Sequence, residues 1–150
     1  MDETARLVAP KVPISWGELI DKLTILEIKQ VNISAPVALA NINKELDCLS
    51  EIVANSYGVS ERVIDFKKKL LDVNARLWKV EDDIRDKELK QEFDVIFVEL
   101  ARRVYRLNDE RAQLKRSINQ VLRSELTEEK SYKDFKAPYE LTQDKSFPEE

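Results

Sequence analysis

Arg111 raises the first chemical question, because it lies among the apolar residues of a predicted helix. In the stretch LNDERAQLKRSIN, Leu107, Leu114 and Ile118 recur at the spacing of one buried helix face. Arg111 occupies the position between them. A guanidinium keeps its charge in proteins, so its burial requires a neighbouring anion. The sequence therefore predicts an anionic partner for Arg111, either a carboxylate of the chain or an acidic ligand.

Glu27 is the matching candidate, because it projects from the middle of the apolar face of the first predicted helix. Two opposite charges that each face the core are best explained as partners. We therefore predict a buried structural pair between Glu27 and Arg111. Glu81 and Asp82 in the third predicted helix are alternative partners, and Arg111 could instead reach water at the edge of the core.

A second group of polar residues follows one flank of the two longest predicted helices. Asparagine is a weak helix former, so several asparagines on one flank suggest a use for their amides. One interpretation is a hydrogen-bond network that fixes the register of the helices. The other interpretation is a ligand pocket. The residues that would contact the ligand are Asn74, Trp78, Glu81, Arg85, Tyr105, Asn108 and Lys115.

The composition excludes several classes of active site. The chain has no histidine and one cysteine, which excludes imidazole catalysis and cysteine-based zinc or iron–sulfur sites. Its two glycines, Gly17 and Gly58, stand alone and form no phosphate-binding loop. We therefore expect no metal site and no cofactor. Carboxylates three residues apart, such as Glu18 and Asp21, could bind Mg²⁺, but 29 acidic residues produce such pairs by chance.

Capping signals and periodicity place the helices that would position these residues. The chain is 36% charged and has only 2 glycines and 5 prolines, which is typical of long helices. Ser15 and Glu18 form a capping-box motif. Pro36 suits the first turn of a second helix, and Asp94 suits the N-cap of a fourth. Gly58 is predicted to end the second helix and Ser60 to cap a third over 61–88. Together these signals predict an all-α fold.

We predict that the helices form two antiparallel hairpins, one short and one long, in a helical bundle with coiled-coil-like apolar stripes. The bundle domain should span 11–123. Residues 124–150 lose the helical periodicity and are predicted to form an irregular or partly disordered C-terminal tail. Because the long hairpin extends beyond the short one, its uncovered apolar surface predicts a homodimer.

Charge and hydropathy limit the expected environment. The net charge is −4 and the arginines of the fourth helix lack interleaved aromatic residues, so we expect no nucleic-acid partner. The longest apolar run, VIFV, is far too short to cross a bilayer, so we expect no membrane partner. The single Cys48 and an N-terminus without the pattern of a secretory signal predict a cytoplasmic protein.

Four stretches of the chain, taken in order, carry a resemblance to known proteins. They read PISWGELIDKLTILEIK, VNARLWKVEDDIR, FDVIFVELARRVYRLNDERAQLKRSIN and EEKSY. Over residues 11–135 the chain resembles a family of small helical bacterial and phage proteins catalogued as a domain of unknown function. Its members are often encoded near glycosyltransferase or surface-polysaccharide genes, so the resemblance implies a link to glycan assembly. The family has no established catalytic residues, so the resemblance assigns no chemistry.

The sequence thus predicts a helical protein that works by binding, as an accessory to glycan or surface-polysaccharide assembly. Its partner would be another protein or an anionic small molecule. The alternative is a carboxylate- and magnesium-dependent enzyme that acts on a nucleotide or a sugar phosphate.

Overall fold

The computed structural model describes residues 5–132, and these residues form four α-helices without any strand. The helices are α1 (Trp16–Asn32), α2 (Pro36–Ala54), α3 (Val59–Leu89) and α4 (Val95–Leu122). The all-α prediction is therefore confirmed. Residues 124–132 contain no helix, and the rest of the predicted tail, 133–150, lies outside the described residues.

The capping residues predicted from the sequence begin three of the helices. Ser15 Oγ accepts a hydrogen bond of 3.1 Å from the backbone N–H of Glu18, and Pro36 is the first residue of α2. Asp94 Oδ1 accepts one of 2.9 Å from the N–H of Phe97 at the start of α4. Each contact satisfies a backbone group that a helix end leaves without an intrahelical partner.

The turn between α2 and α3 differs from the prediction. We predicted that Gly58 would end α2 and that Ser60 would cap α3, but Gly58 itself is the N-cap and Ser60 lies inside the helix. Gly58 has φ +71°, a left-handed conformation that glycine adopts without steric cost. This conformation reverses the chain within a few residues, so α3 begins immediately afterwards.

Two apolar clusters form the core of the bundle. The first joins α1 to the other three helices and contains Leu19, Ile20, Leu23, Val53, Val59, Val63, Leu70 and Ile118. The second lies between α3 and α4 and contains Val73, Leu77, Val80, Leu100 and Leu107. Because α1 packs against α2, α3 and α4, its buried residues extend well beyond one narrow face, and only the side that carries Lys22 is open to solvent. This central position determines which polar side chains of α1 face the other helices.

The helices pair as a short and a long antiparallel hairpin, as predicted. In the short hairpin, Lys22 of α1 lies 2.9 Å from Glu45 of α2, and in the long one Arg76 of α3 lies 3.2 Å from Glu110 of α4. Both pairs are half-exposed, so each contributes little to stability. No helix within residues 5–132 combines the length with the hydropathy that a bilayer span requires.

Candidate functional site

Arg111 of α4 binds Asp21 of α1 through a bidentate ion pair. Its Nε lies 2.8 Å from Asp21 Oδ1, and its Nη2 lies 2.5 Å from Asp21 Oδ2. The Asp21 side chain is only 1% exposed, whereas the Arg111 side chain is 28% exposed. The hydrogen bonds to Asp21 raise the pKa of Arg111 above its usual value and outweigh the opposing effect of burial. The requirement for an anion at Arg111 is therefore met within the chain.

The predicted buried pair between Glu27 and Arg111 is wrong. Glu27 instead accepts a hydrogen bond of 2.7 Å from Lys67 of α3, and both side chains are about one-third exposed. A pattern of one apolar face per helix suggested that Glu27 points into the core. Because α1 is surrounded by three helices, its side bearing Asp21 is also buried, and Asp21 is the carboxylate that meets α4.

Asn74 and Thr24 complete a buried polar network around Asp21. Asn74 Nδ2 donates hydrogen bonds of 2.9 Å to Asp21 Oδ1 and of 2.9 Å to Thr24 Oγ1. Thr24 Oγ1 in turn donates one of 2.7 Å to the backbone carbonyl of Asp21. Together with the ion pair of Arg111, these bonds join α1, α3 and α4. That the network fixes the register of the helices stays a prediction. A buried network with satisfied partners makes a fold rigid and specific.

Lys115 forms a second polar junction, one helical turn after Arg111. Its Nζ lies 2.6 Å from Glu18 Oε2 of α1 and 2.6 Å from Glu128 Oε2 of the segment after α4. Burial opposes the charge on Lys115, but the hydrogen bonds to Glu128 and Glu18 outweigh it, so the pKa lies above its usual value. Lys115 is therefore a fixed cation and is poorly suited to act as a base.

Gly17 allows α1 and α4 to approach closely beside these junctions. A Cβ atom at this position would lie 2.4 Å from the backbone oxygen of Lys115 and 2.9 Å from Asn119 Oδ1. The backbone N–H of Gly17 donates a 2.7 Å hydrogen bond to the same Asn119 oxygen. The absence of a side chain at Gly17 therefore sets the distance between the helices that carry Asp21 and Arg111.

An open cleft, here called the Trp78 cleft, lies against the network between α1, α3 and α4. Its volume is about 350 Å³. It is lined by Ile25, Ile28, Asn74, Leu77, Trp78, Glu81, Asp82, Arg85, Asn108 and Arg111. At its rim, Arg85 Nη1 lies 2.7 Å from Glu81 Oε2. A half-buried tryptophan beside aliphatic residues and several planar polar groups is typical of a small-molecule site.

A second cleft, here called the Lys115 cleft, adjoins the first. Its volume is about 210 Å³, and it is lined by Glu18, Asn108, Arg111, Ala112, Lys115, Glu128 and Lys130. Asn108 and Arg111 line both clefts, so these residues mark where the two meet. The first cleft has a largely apolar floor, whereas the second is surrounded by charged side chains.

A family model matches residues 10–142, which is most of the chain, and it describes a family of unknown function, DUF6165. The chain belongs to the DUF6165 family. Comparisons with curated proteins and with solved structures each give no significant match.

In this DUF6165 protein the residues predicted to bind a ligand are largely brought together. Asn74, Trp78, Glu81, Arg85 and Asn108 line the Trp78 cleft. Lys115 lines the adjoining cleft, and Tyr105 lines neither of them. This arrangement makes a shared site geometrically possible, and the binding of a ligand there stays a prediction.

The sequence interpretation missed Asp21, Gly17 and Glu128 as parts of this DUF6165 site. Asp21 was considered only as one member of a possible Mg²⁺ pair with Glu18, and Glu128 was assigned to the irregular tail. Gly17 did carry a signal, since a glycine in a helix usually has a packing reason. In residues 5–132 no three or more Asp, Glu, Cys or His side chains are grouped so that they could hold a metal ion.

Proposed function

We propose that the protein binds a small hydroxyl-rich molecule of the sugar class in the Trp78 cleft. The observation that carries this proposal is the accessible Trp78 between an aliphatic floor and planar polar side chains. An aromatic ring offers a flat apolar surface, and carboxylates, amides and guanidinium groups supply donors and acceptors for hydroxyl groups. Sugars present both kinds of surface within one ring.

The polar groups of the Trp78 cleft favour an uncharged ring at this position. The charge of Arg111 is balanced by Asp21, and that of Arg85 is balanced by Glu81. The side-chain hydrogen bonds of Asn74 to other described residues all come from Nδ2, which leaves its Oδ1 as an acceptor for a ligand hydroxyl. Asp82 also lines the cleft, forms no ion pair among the described residues and would repel a negatively charged ring. The proposed ring therefore meets hydrogen-bonding groups and no excess of positive charge.

The proposal extends to an accessory binding role in glycan or surface-polysaccharide assembly in the cytoplasm. A ligand of the sugar class supports the role, and a free, exposed Cys48 suits a reducing compartment. The rival hypothesis is a magnesium-dependent enzyme acting on a nucleotide or a sugar phosphate. The two differ in two measurable respects, since binding alone requires no metal ion and leaves the ligand unchanged.

Tryptophan fluorescence tests the proposed binding directly. The chain contains two tryptophans, and Trp16→Phe leaves Trp78 as the single reporter. Titration with monosaccharides, methyl glycosides and nucleotide sugars in EDTA should change the Trp78 emission saturably. Trp78→Ala should weaken binding by about tenfold in calorimetry, because the ring supplies both stacking and buried area.

The matched control for this experiment is Tyr57→Ala, which removes a fully exposed aromatic ring outside both clefts. This variant should bind as the wild type does. If no sugar changes the emission of Trp78, or if Trp78→Ala binds with unchanged affinity, the proposal is wrong. Binding that requires Mg²⁺ and is accompanied by breakdown of a nucleotide sugar would favour the enzyme.

We also propose that two copies associate through the free end of the α3–α4 hairpin. This end exposes Leu89, Phe93, Val95 and Ile96, which supports an apolar contact with the same patch of a second copy. Sedimentation equilibrium should then give more than the 17.5 kDa of one chain at micromolar concentration. Ile96→Lys should shift the mass towards the monomer and Val37→Lys, on α2, should not. A monomer at all concentrations would exclude the dimer.

A further inference from the structure

Glu128 reaches the Lys115 cleft from the non-helical segment that follows α4. Its carboxylate lies 2.6 Å from Lys115 Nζ and 3.1 Å from Lys130 Nζ, and its side chain is 40% exposed. The Lys115 side chain is only 9% exposed, so this ion pair joins a buried cation to a carboxylate that faces solvent. A competing anion can replace that carboxylate from the solvent side.

The charges around this cleft balance only while Glu128 is in place. Arg111, Lys115 and Lys130 face the carboxylates of Asp21, Glu18 and Glu128. Asp21 is held by the buried network, and Glu18 is fixed in the first turn of α1. Glu128 is the carboxylate that is not held by a helix. Its departure would leave one uncompensated positive charge beside the Trp78 cleft.

We propose that the ligand carries a singly charged oxyanion, which binds at Lys115. In the ligand-free protein the Glu128 carboxylate occupies that position, and the ligand displaces it on binding. The inference rests on the proposed sugar-binding function and narrows it to acidic ligands, whose oxyanion is a carboxylate or a phosphodiester. Because both clefts share Asn108 and Arg111, one molecule can place its ring against Trp78 and its acidic group against Lys115. An acidic sugar should therefore bind more tightly than a neutral one, which can occupy the Trp78 cleft but cannot replace the charge of Glu128.

The electrostatics of Glu128 agree with this role. Hydrogen bonds from Lys115 and Lys130 lower the pKa of Glu128 to about 2, so its carboxylate is ionised at every physiological pH. It therefore competes with an incoming oxyanion under all working conditions. Displacement leaves no buried carboxylate without a partner, because the Glu128 side chain is 40% exposed and can turn to solvent.

The test uses two variants with the same change of charge and two simple anions. Glu128→Gln removes the competing carboxylate, and Glu129→Gln removes a neighbouring carboxylate that forms no ion pair among the described residues. Acetate and dimethyl phosphate, without any sugar, are titrated at constant ionic strength while the ¹³Cε signal of Lys115 is followed by NMR. Glu128→Gln should bind both anions about three- to tenfold more tightly than the wild type, because the anion no longer has to displace a charged carboxylate.

Glu129→Gln should bind these anions as weakly as the wild type. The inference is overturned if all three proteins bind the anions with equal affinity, or if Glu129→Gln gains as much affinity as Glu128→Gln. It is also overturned if the anions bind without changing the Lys115 signal. Because the probes contain no sugar, the result is independent of the fluorescence experiment. If the anions bind at Lys115 but no sugar changes the Trp78 emission, the anion site is supported and the sugar-binding function is wrong. If sugars bind but Glu128→Gln does not bind the anions more tightly, Glu128 is not a competitor of the ligand.

Discussion

Arg111→Met is expected to lower the free energy of unfolding by about 3–5 kcal/mol, the range for breaking a buried ion pair. The reason is that the change leaves Asp21, 1% exposed, without its bidentate partner in the core. Asn74 alone then donates to a carboxylate that bound three donor groups before. Urea unfolding of the variant and the wild type measures this loss.

Neutralising Asp21 should restore much of this stability. Asp21→Asn alone should have a smaller effect than Arg111→Met, because Arg111 is 28% exposed and can reach water in the Trp78 cleft. In the double variant no buried charge is left without a partner, so the two changes should couple by about 1–3 kcal/mol.

Glu27→Gln supplies the matched control for this cycle, because it changes a carboxylate that is one-third exposed and pairs with Lys67. Alone it should destabilise the protein by at most about 1 kcal/mol. Its coupling to Arg111→Met should stay below about 0.5 kcal/mol. Strong coupling of Glu27 to Arg111, or additive effects of Asp21→Asn and Arg111→Met, would contradict the pairing in the structure.

Gly17→Ala is expected to destabilise the protein by about 1–3 kcal/mol, although alanine is the better helix former. The added methyl group would lie 2.4 Å from the backbone oxygen of Lys115, and a backbone atom cannot turn aside as a side chain can. The helices α1 and α4 must then separate, which lengthens the contacts between Asp21 and Arg111. Thermal and urea unfolding measure the effect.

Gly58→Ala distinguishes this packing effect from a general effect of replacing glycine. Nothing lies within 4 Å of a Cβ at Gly58, so the change introduces only the strain of the left-handed backbone, about 1–2 kcal/mol. Gly58→Ala should leave the NMR signals of Arg111 and Lys115 unchanged, whereas Gly17→Ala should shift both. A Gly17→Ala protein of wild-type or greater stability would contradict the close helix contact.

Local signals in the sequence were sufficient to predict where most helices begin. Ser15, Pro36 and Asp94 act through their own backbone and neighbouring residues, so their roles need no knowledge of the tertiary structure. The same applies to the need for an anion at Arg111, which follows from the charge of one side chain among apolar neighbours. These features depend on spacing along one helix, which a sequence displays directly.

The partner of Arg111 depends on how the helices are arranged, and periodicity within one helix does not contain that information. Leu19, Ile20 and Asp21 are consecutive and all buried, which requires contacts on several sides of α1. A single apolar face implies one contact surface, and on that assumption Glu27 is the carboxylate that points into the core. Glu128 was missed for a related reason. It lies in a segment without regular secondary structure, and its position is set by its contact with Lys115.

The pairing of Asp21 with Arg111 across 90 residues has a consequence for synthesis on the ribosome. At about 5–20 residues per second, roughly 5 to 18 s pass between the two residues leaving the site of peptide-bond formation. Throughout this interval the nascent α1 lacks the arginine that neutralises its carboxylate. The α3–α4 hairpin, built from neighbouring segments, can form as soon as it emerges. We therefore expect the order of folding to run against the order of translation, with the first helix made being the last to dock.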